Sequence, residues 1–307
     1  MGDVAVLGID GGGTATRALV LDDQGRELGR GTAAAALADW LGAPVEIEAL
    51  LAAAQSAAKD AKVSLPVAGL CAGLAGVGRE RERALVESAL AARGLAANTR
   101  VVTDAEAAFF SAFGEGPGIL VMAGTGSIAW GRGEDGREAR VGGWGSLIGD
   151  EGSGYDIGLG ALRAAARAAN GRGEETELLT RVGAALGISE PEELISWAAD
   201  AAKADVAALA PTVCELAETG DRVAAAIVRA AVASLRGHVA ALLTRLGPWG
   251  ALPGLAVGGG LLAPGGPLRD QLIAELAHYP CVPLPAMVVE PALGAAQLAL
   301  RELRARG

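Results

Sequence analysis

Lysine is scarce in this 307-residue sequence, which contains only Lys59, Lys62 and Lys203. Acidic residues outnumber basic ones and the formal net charge is -10, whereas proteins that bind nucleic acids or anionic membranes need a basic surface. The composition therefore argues against both kinds of partner. It also predicts that a phosphorylated ligand would be neutralised mainly by a metal ion, by backbone N–H groups and by an arginine such as Arg17.

Cysteine and histidine are rare as well, with three and two residues. Cys71, Cys214 and Cys281 lie far apart in apolar stretches and show no C-x-x-C or zinc-type spacing. We expect buried thiols in a reducing compartment rather than disulfides or metal ligands. His238 and His278 have no partner at metal-ligand spacing, so both are expected to be structural or surface residues.

No long hydrophobic run is uninterrupted. The most apolar long stretch, 240–268, contains Pro248, Pro253, Pro264 and many glycines, so it does not predict one membrane-spanning helix. A strand pattern begins almost at the first residue, without the basic and apolar regions of a signal peptide. The expectation is a cytoplasmic protein.

Glycine, in contrast, is abundant, with 46 residues, and it ends three apolar runs. The first run, 4–9, passes through Asp10 into a turn, and a second apolar run, 15–21, leaves that turn. The turn consists of Gly11, Gly12, Gly13 and Thr14. The pattern predicts a hairpin of two strands, because the glycine spacings of a Rossmann fingerprint or a P-loop are missing. Converging backbone N–H groups would suit phosphate oxygens, with Asp10 facing a magnesium ion; the alternative is a flexible hairpin with an unrelated aspartate.

The pattern of strand, turn and strand recurs about one small domain later. Residues 119–123 enter the second turn and residues 128–132 leave it. The turn consists of Gly124, Thr125, Gly126 and Ser127. A third apolar run, 255–257, ends in Gly258, Gly259 and Gly260, and a helix pattern at 267–277 follows. A further glycine-rich block extends from 142 to 154 and contains Gly143, Trp144, Asp150 and Glu151.

These four blocks, in their order along the chain, resemble those of the BadF/BadG/BcrA/BcrD-type ATPase family, which includes N-acetylglucosamine kinase and belongs to the actin, Hsp70 and sugar kinase superfamily. The resemblance runs from Val4 to near Gln297. It implies an α/β fold of two ribonuclease H-like lobes, each a mixed five-stranded sheet with helices, and a helical insertion in the second lobe. The lobes are expected at 1–114 with a returning helix at 291–307, and at 115–290, with a hinge in the glycine-rich stretch 114–118.

Weaker patterns place the remaining elements. Residues 67–72 predict a buried parallel strand, and the following loop, 73–78, either contacts the substrate or only connects the strand to a helix. Residues 155–246 are almost entirely helical in pattern, with one of the five expected helices at 206–218. A last strand is expected at 282–290.

The resemblance assigns roles to individual residues. Thr103 and Glu106 have the spacing of a capping box, so Thr103 would cap a helix whose first residue, Asp104, is then available as the catalytic base of the family. Arg17 and the two glycine turns would bind the phosphates of ATP, Asp10 would hold Mg²⁺ through water, and 258–260 would bind adenosine. The second substrate, which accepts the phosphoryl group, would be contacted by Gly73, Asp104, Gly143, Trp144, Asp150 and Glu151.

The implied activity is transfer of the γ-phosphoryl group of Mg-ATP to a hydroxyl of an amino sugar or related hexose, with N-acetylglucosamine or glucosamine favoured. The stretch 33–40, which supplies an Asn to the sugar in relatives, contains none, and Asp39 is the nearest polar residue. The alternative is an ATP-hydrolysing switch or activator without a sugar substrate, although known activators hold an iron–sulfur cluster whose ligands are not evident here. A homodimer is the default expectation.

Overall fold

The computed structural model describes residues 4–13, 15–35, 47–284 and 287–306. The chain forms two compact units, Met1–Gly116 with Val289–Gly307, and Pro117–Val288. Each unit contains a five-stranded sheet with parallel and antiparallel pairs and has its own buried core. The predicted α/β fold with two mixed five-stranded sheets is thereby confirmed.

The first sheet has the strand order β3-β2-β1-β4-β5. β1, β2 and β3 form an antiparallel meander, whereas β4 and β5 run parallel to β1 because helices connect them. The strands are β1 Ala5–Gly11, β2 Thr16–Asp22, β3 Glu27–Ala33, β4 Gly69–Leu74 and β5 Thr99–Thr103. The helices of this unit are α1 Ile47–Ala61, α2 Glu80–Ala91, α3 Asp104–Phe113 and α11 Pro291–Arg306.

Helices cover both faces of the first sheet. Because side chains alternate along a strand, Leu7 and Ile9 of β1 belong to one core with α1 and α2, whereas Val6 belongs to another with α3 and α11. Alanines on the buried face of α11 allow this helix to lie close to β1. A Cβ at Gly8 would lie 2.2 Å from the carbonyl oxygen of Ala292, so the contact requires glycine in the strand.

The second sheet has the order β10-β9-β6-β7-β8, in which β9 and β10 run parallel to β6 and the meander β6-β7-β8 is antiparallel. The strands are β6 Gly118–Ala123, β7 Ser127–Arg132, β8 Glu138–Gly142, β9 Gly254–Gly258 and β10 Val282–Pro283. The helices are α4 Gly154–Ala169, α5 Leu178–Leu186, α6 Glu193–Asp200, α7 Lys203–Ala207, α8 Ala210–Glu218, α9 Arg222–Leu246 and α10 Arg269–Leu276.

The structure corrects three boundaries. The helix expected at 206–218 is divided into α7 and α8, and Pro211 lies in the first turn of α8, where a missing N–H is tolerated. Of the strand expected at 282–290, only Val282 and Pro283 are strand residues in the part of the chain that the structure describes, and the N–H of Leu284 donates to the carbonyl of Leu255 over 2.8 Å. β4 extends to Leu74, so Gly73 lies in the strand and not in the following loop.

α9 is long and apolar enough to cross a membrane by length and composition. In the structure it is packed within the second unit, where Val228, Leu235, Val239 and Leu242 are buried in the main core cluster. The pattern is that of a central core helix, for which burial in protein accounts for the apolar residues.

Candidate functional site

Three parallel strands of the first unit end at the same edge of their sheet. In the register of the ladder, Asp10 of β1 lies opposite Gly73 of β4, and Leu74 lies opposite Thr103 of β5. Asp104 follows Thr103 directly as the first residue of α3. Carboxyl ends of parallel strands are where α/β sheets place ligands, and this edge carries two carboxylates.

Asp104 lies at the start of α3 without serving as its cap. Thr103 is the N-cap, and its hydroxyl accepts a hydrogen bond of 3.1 Å from the N–H of Glu106, which confirms the predicted cap. The N–H of Ala105 donates to Oδ1 of Asp104 over 2.8 Å. The half-buried Asp104 side chain is thus oriented from its own helix turn.

Asp10 is held in a poorly solvated position at the end of β1. Its pKa is raised to about 7, first by burial and then by the negative charge of Asp104, while the guanidinium of Arg17 opposes both effects. Arg17 is opposite Asp10 in the β1–β2 ladder, but its Nη1 is 3.8 Å from Oδ2 and its side chain is 61% exposed. A screened arginine at this distance leaves most of the negative charge uncompensated.

Two carboxylates that repel each other fit a divalent cation. Mg²⁺ is commonly bound by one or two carboxylates, with waters and substrate phosphates completing its shell. Asp10 is a donor of this kind, and the nearby negative charge of Asp104, which contributes to the raised pKa of Asp10, is charge that such an ion would offset. Among residues 4–13, 15–35, 47–284 and 287–306, no cluster of three or more His, Cys, Asp or Glu side chains is present.

The first glycine turn begins where β1 ends. Gly11 is buried as the last strand residue, and its carbonyl accepts a 3.1 Å hydrogen bond from the N–H of Ala75. Gly12 and Gly13 are half-buried, and the N–H of Gly12 donates to the carbonyl of Ala15 over 3.4 Å. Thr14, predicted to bind phosphate, lies outside the described residues, as does Asp39.

Gly73 has a packing function in the structure. It is buried, and a Cβ at this position would lie 2.6 Å from the Cβ of Ala107 and 3.7 Å from the Cα of Asp104. The absence of a side chain therefore lets α3 lie directly against the end of β4. The sequence predicted a substrate contact for Gly73, which stays a prediction.

Three loops of the second unit likewise start from one edge of its sheet. β6 and β9 are parallel, with Met122 opposite Gly258, so both strands end there. Because β7 and β8 alternate in direction, β7 begins at this edge with Ser127 and β8 ends there with Gly142. The 124–127 turn, the 143–153 loop and the loop after β9 are therefore neighbours.

All four carbonyl oxygens of the 124–127 turn accept hydrogen bonds within the second unit. Their donors are the N–H groups of Gly154, Tyr155, Gly124 and Gly143, at 2.8, 3.3, 2.9 and 3.1 Å. In contrast, the N–H groups of Thr125 and Gly126 donate to no residue that the structure describes. A turn with fixed carbonyls and two available N–H groups is suited to an anionic oxygen ligand.

Asp150 lies beneath this turn. Its φ is +60°, its side chain is 5% exposed, and its Oδ1 accepts a 3.3 Å hydrogen bond from the N–H of Ser127. Its Oδ2 is 2.6 Å from Nζ of Lys203. The carboxylate predicted to contact the acceptor is therefore already bound by an amide and an ammonium group.

Glu151 contributes to the same arrangement through its backbone. Its carbonyl accepts a 2.7 Å hydrogen bond from the hydroxyl of Ser127, whereas its side chain is half exposed. Oε2 of Glu151 is 3.9 Å from Nε2 of the buried His238. Burial lowers the pKa of His238 and Glu151 partly opposes this shift, so this histidine is a neutral packing residue beside the loop.

Trp144 is the prominent apolar residue of the 143–153 loop. Its side chain is 66% exposed, and the guanidinium carbon of Arg140 is 5.6 Å from the ring centroid. Leu147 and Ile148 of the same loop are also exposed. Gly143, with φ +68°, donates its N–H to the carbonyl of Ser127 and thereby ties the loop to the turn.

The loop after β9 packs on the end of β6. Gly259 has φ +83°, and a Cβ there would lie 2.4 Å from the carbonyl oxygen of Ala123, so the close approach requires glycine. Gly258 is buried and Gly260 is exposed. A Cβ at Gly124 would lie 3.8 Å from the nitrogen of Gly260, which makes the predicted adenosine loop a direct neighbour of the predicted phosphate turn.

One residue of this group, Lys203, was not predicted from the sequence. Lys203 was placed outside a helix expected to begin at 206, and its pairing with Asp150 spans 53 residues, so no local pattern indicates it. The one available signal was the rarity of lysine itself.

Comparison with known proteins identifies the family of this chain. The sequence matches the BadF/BadG/BcrA/BcrD ATPase family over residues 7–299. The chain belongs to this family. An N-acetylmuramic acid/N-acetylglucosamine kinase of Clostridium acetobutylicum is 35% identical over 236 residues, which cover 76% of this chain and 77% of the relative. An N-acetyl-D-glucosamine kinase of Dictyostelium discoideum is 32% identical over 96% of this chain and 97% of its own length.

Solved structures agree with this assignment. The crystal structure of a candidate N-acetylglucosamine kinase from Chromobacterium violaceum matches with a TM-score of 0.83 and 28% identity, over 96% of this chain and 99% of that one. A ROK family glucokinase from Streptomyces griseus, solved with glucose and AMPPNP, matches with a TM-score of 0.60 and 19% identity, over 97% and 99% of the two chains. The second similarity shows the shared fold.

Proposed function

We propose that this family member is an ATP-dependent kinase that phosphorylates a hydroxyl of an amino sugar or related hexose, with N-acetylglucosamine as the first acceptor to test. The observation that carries the proposal is the pair of carboxylates, Asp10 and Asp104, at one edge of the first sheet. Two relatives with 35% and 32% identity, both named as kinases that act on N-acetylglucosamine, support the choice of reaction and acceptor.

Asp104 is proposed as the general base. The acceptor hydroxyl oxygen attacks the γ-phosphorus, the bond from this phosphorus to the bridging oxygen of ADP breaks, and the hydroxyl proton passes to the Asp104 carboxylate. Because the transition state of phosphoryl transfer is loose, the proton leaves late and a carboxylate is a sufficient base. Its orientation at the start of α3, with Thr103 as the cap, supports this role.

Asp10 is proposed to hold Mg²⁺, directly or through water. A magnesium ion, when bound, would offset the negative charge of the nucleotide's phosphate oxygens. Arg17 lies beside Asp10 and would add a screened positive charge. Gly11, Gly12 and Gly13 supply a turn without side chains at this position, consistent with backbone contact to phosphate.

The second unit carries its own group of proposed ligand-binding residues. Thr125 and Gly126 offer available N–H groups for phosphate oxygens, and the neighbouring 258–260 loop suits adenosine. Exposed Trp144 provides an aromatic surface of the kind on which sugar rings pack, and Asp150 and Glu151 lie in the same loop.

The decisive measurement is ADP release from Mg-ATP with N-acetylglucosamine, glucosamine, N-acetylmannosamine, glucose or no acceptor. We expect strong stimulation by one acceptor, and we expect Asp104→Asn to lower kcat by about 10²- to 10⁴-fold, the usual range for loss of a general base. Asp270→Asn, in the exposed first turn of α10, is the matched control and should retain activity.

Two results would contradict the proposal. Slow ADP release that ignores every acceptor would favour the alternative of an ATP-hydrolysing switch, and the search would turn to a protein partner. Unchanged turnover in Asp104→Asn would remove Asp104 from the mechanism. Nucleotide affinity of the variant should be measured in parallel, because its retention separates lost chemistry from lost binding.

A further inference from the structure

The ammonium group of Lys203 lies against the proposed phosphate turn of the second unit. A Cβ at Gly126 would be 3.1 Å from Nζ of Lys203 and 3.1 Å from Oδ1 of Asp150. Any side chain at 126 would therefore press on this ion pair. The helical insertion, through the first residue of α7, thus delivers a positive charge to the loop edge of the sheet.

The ion pair is asymmetric in its exposure. The Asp150 side chain is 5% exposed, whereas that of Lys203 is 39% exposed. An ammonium group has three N–H donors, and among the described residues Nζ of Lys203 donates only to Asp150. Two donors of Lys203 are therefore available to a ligand on the solvent side, while Asp150 restricts the orientation of the flexible side chain.

The hydrogen-bond donors around Lys203 favour an anionic ligand. The N–H groups of Thr125 and Gly126 have no partner among the residues that the structure describes, and they lie in the turn beside Nζ of Lys203. Two amide donors and one ammonium form a site for oxygens that carry negative charge. Lys203 is also the single lysine in 117–288.

We propose that Lys203 is a phosphate-binding residue of the kinase, contacting the phosphate chain of ATP while Asp150 holds its ammonium group in place. This inference rests on the proposed function, because it takes the 124–127 turn as the phosphate site. It gives the helical insertion a part in the reaction, and it makes Asp150 a positioning residue for Lys203 and for the N–H of Ser127.

The test compares the affinities of Lys203→Met and the unaltered protein for ATP, ADP and AMP by calorimetry in the presence of Mg²⁺. Loss of a charge-assisted hydrogen bond to phosphate should weaken ATP binding by about 10- to 100-fold and AMP binding by less than about 3-fold. Lys203→Arg retains the charge and should recover most of the ATP affinity. Lys59→Met, an exposed lysine of α1, is the matched control and should bind like the unaltered protein.

Each other result rejects the inference. Equal loss of affinity for all three nucleotides, with a lower melting temperature, would mean that Lys203 only stabilises the insertion. Unchanged ATP affinity with weakened acceptor binding would mean that Lys203 serves the sugar through Asp150. If Lys203→Met does not fold, Lys203→Gln and Asp150→Asn allow the same comparison of ATP with AMP. Failure of the unaltered protein to bind ATP would instead reject the proposed function itself.

Discussion

Gly294 of α11 lies directly on the backbone of α3, such that a Cβ at 294 would be 1.8 Å from the carbonyl oxygen of Ala107. A separation this short leaves no space for a methyl group unless one helix moves. Because α3 begins with Asp104, the contact between the two helices also fixes the position of the proposed base.

Gly294→Ala should therefore destabilise the protein despite the higher helix propensity of alanine. Overpacking typically costs about 1–3 kcal/mol, which outweighs the gain of about 1 kcal/mol from replacing glycine in a helix. The matched control is Gly237→Ala in α9, where a Cβ would meet nothing within 4 Å and the propensity gain should appear as a higher melting temperature. Equal melting temperatures for the two variants would contradict the packing argument.

Gly73→Ala should act mainly on kcat, with a smaller effect on thermal stability. The added methyl group would press on Ala107 and on the backbone of Asp104, so we expect the base to be displaced. Because misplacement of a catalytic group by about 1 Å can lower the rate by about 10²-fold, kcat should fall at least about 10-fold. Gly69→Ala in the same strand is the control, because its nearest contacts would be 3.6 Å away. Steady-state kinetics and thermal unfolding on both variants separate the two effects, and an unaltered kcat in Gly73→Ala would refute the prediction.

Asp10→Asn should stabilise the protein at alkaline pH while abolishing magnesium-dependent activity. The pKa of Asp10 is raised to about 7 from 3.8, so between these values the folded protein keeps a proton that the unfolded chain has lost. The free energy of unfolding therefore falls as the pH rises from about 4 to about 7, and the loss is complete above pH 7. Asparagine is neutral at every pH. In metal-free buffer at pH 8, the free energy of unfolding of the variant should exceed that of the unaltered protein by about 1–4 kcal/mol. The difference in free energy of unfolding should shrink as the pH falls from 7 towards 4.

Denaturant titrations with chelator at pH 8 and pH 5 provide the measurement for Asp10. A stability difference that is the same at both values would show that ionisation of Asp10 is not its origin. Arg17→Gln is a useful companion variant, because a pair separated by 3.8 Å with an exposed arginine should contribute at most about 1 kcal/mol.

Local sequence patterns predicted the features that depend on neighbours in the chain. The cap at Thr103 uses an N–H three residues away, and the strands before each glycine turn follow from short apolar runs with turn residues behind them. The location of Asp10 and Asp104 at one sheet edge, in contrast, is known from the parallel pairing of β1, β4 and β5 in the structure.

Long-range contacts could not be predicted in the same way. The carboxylate of Asp150 has a partner in another helix, and its positive φ gives no sequence signal in a residue other than glycine. Gly73 was assigned to a loop because the extent of β4 depends on pairing with β5 rather than on its own residues. The extent of β10 likewise depends on its pairing with β9. The roles of the site residues, the dimer and the cytoplasmic location stay predictions.

The first unit is assembled from both ends of the chain, whereas the second is a continuous segment, 117–288. During synthesis on a ribosome, β1 and β4 therefore emerge long before α11, the helix that packs on β1, β4 and α3. Until α11 has been synthesised, one apolar face of the first sheet has only α3 to cover it. The core of the first unit can therefore be completed only after every element of the second unit has been made.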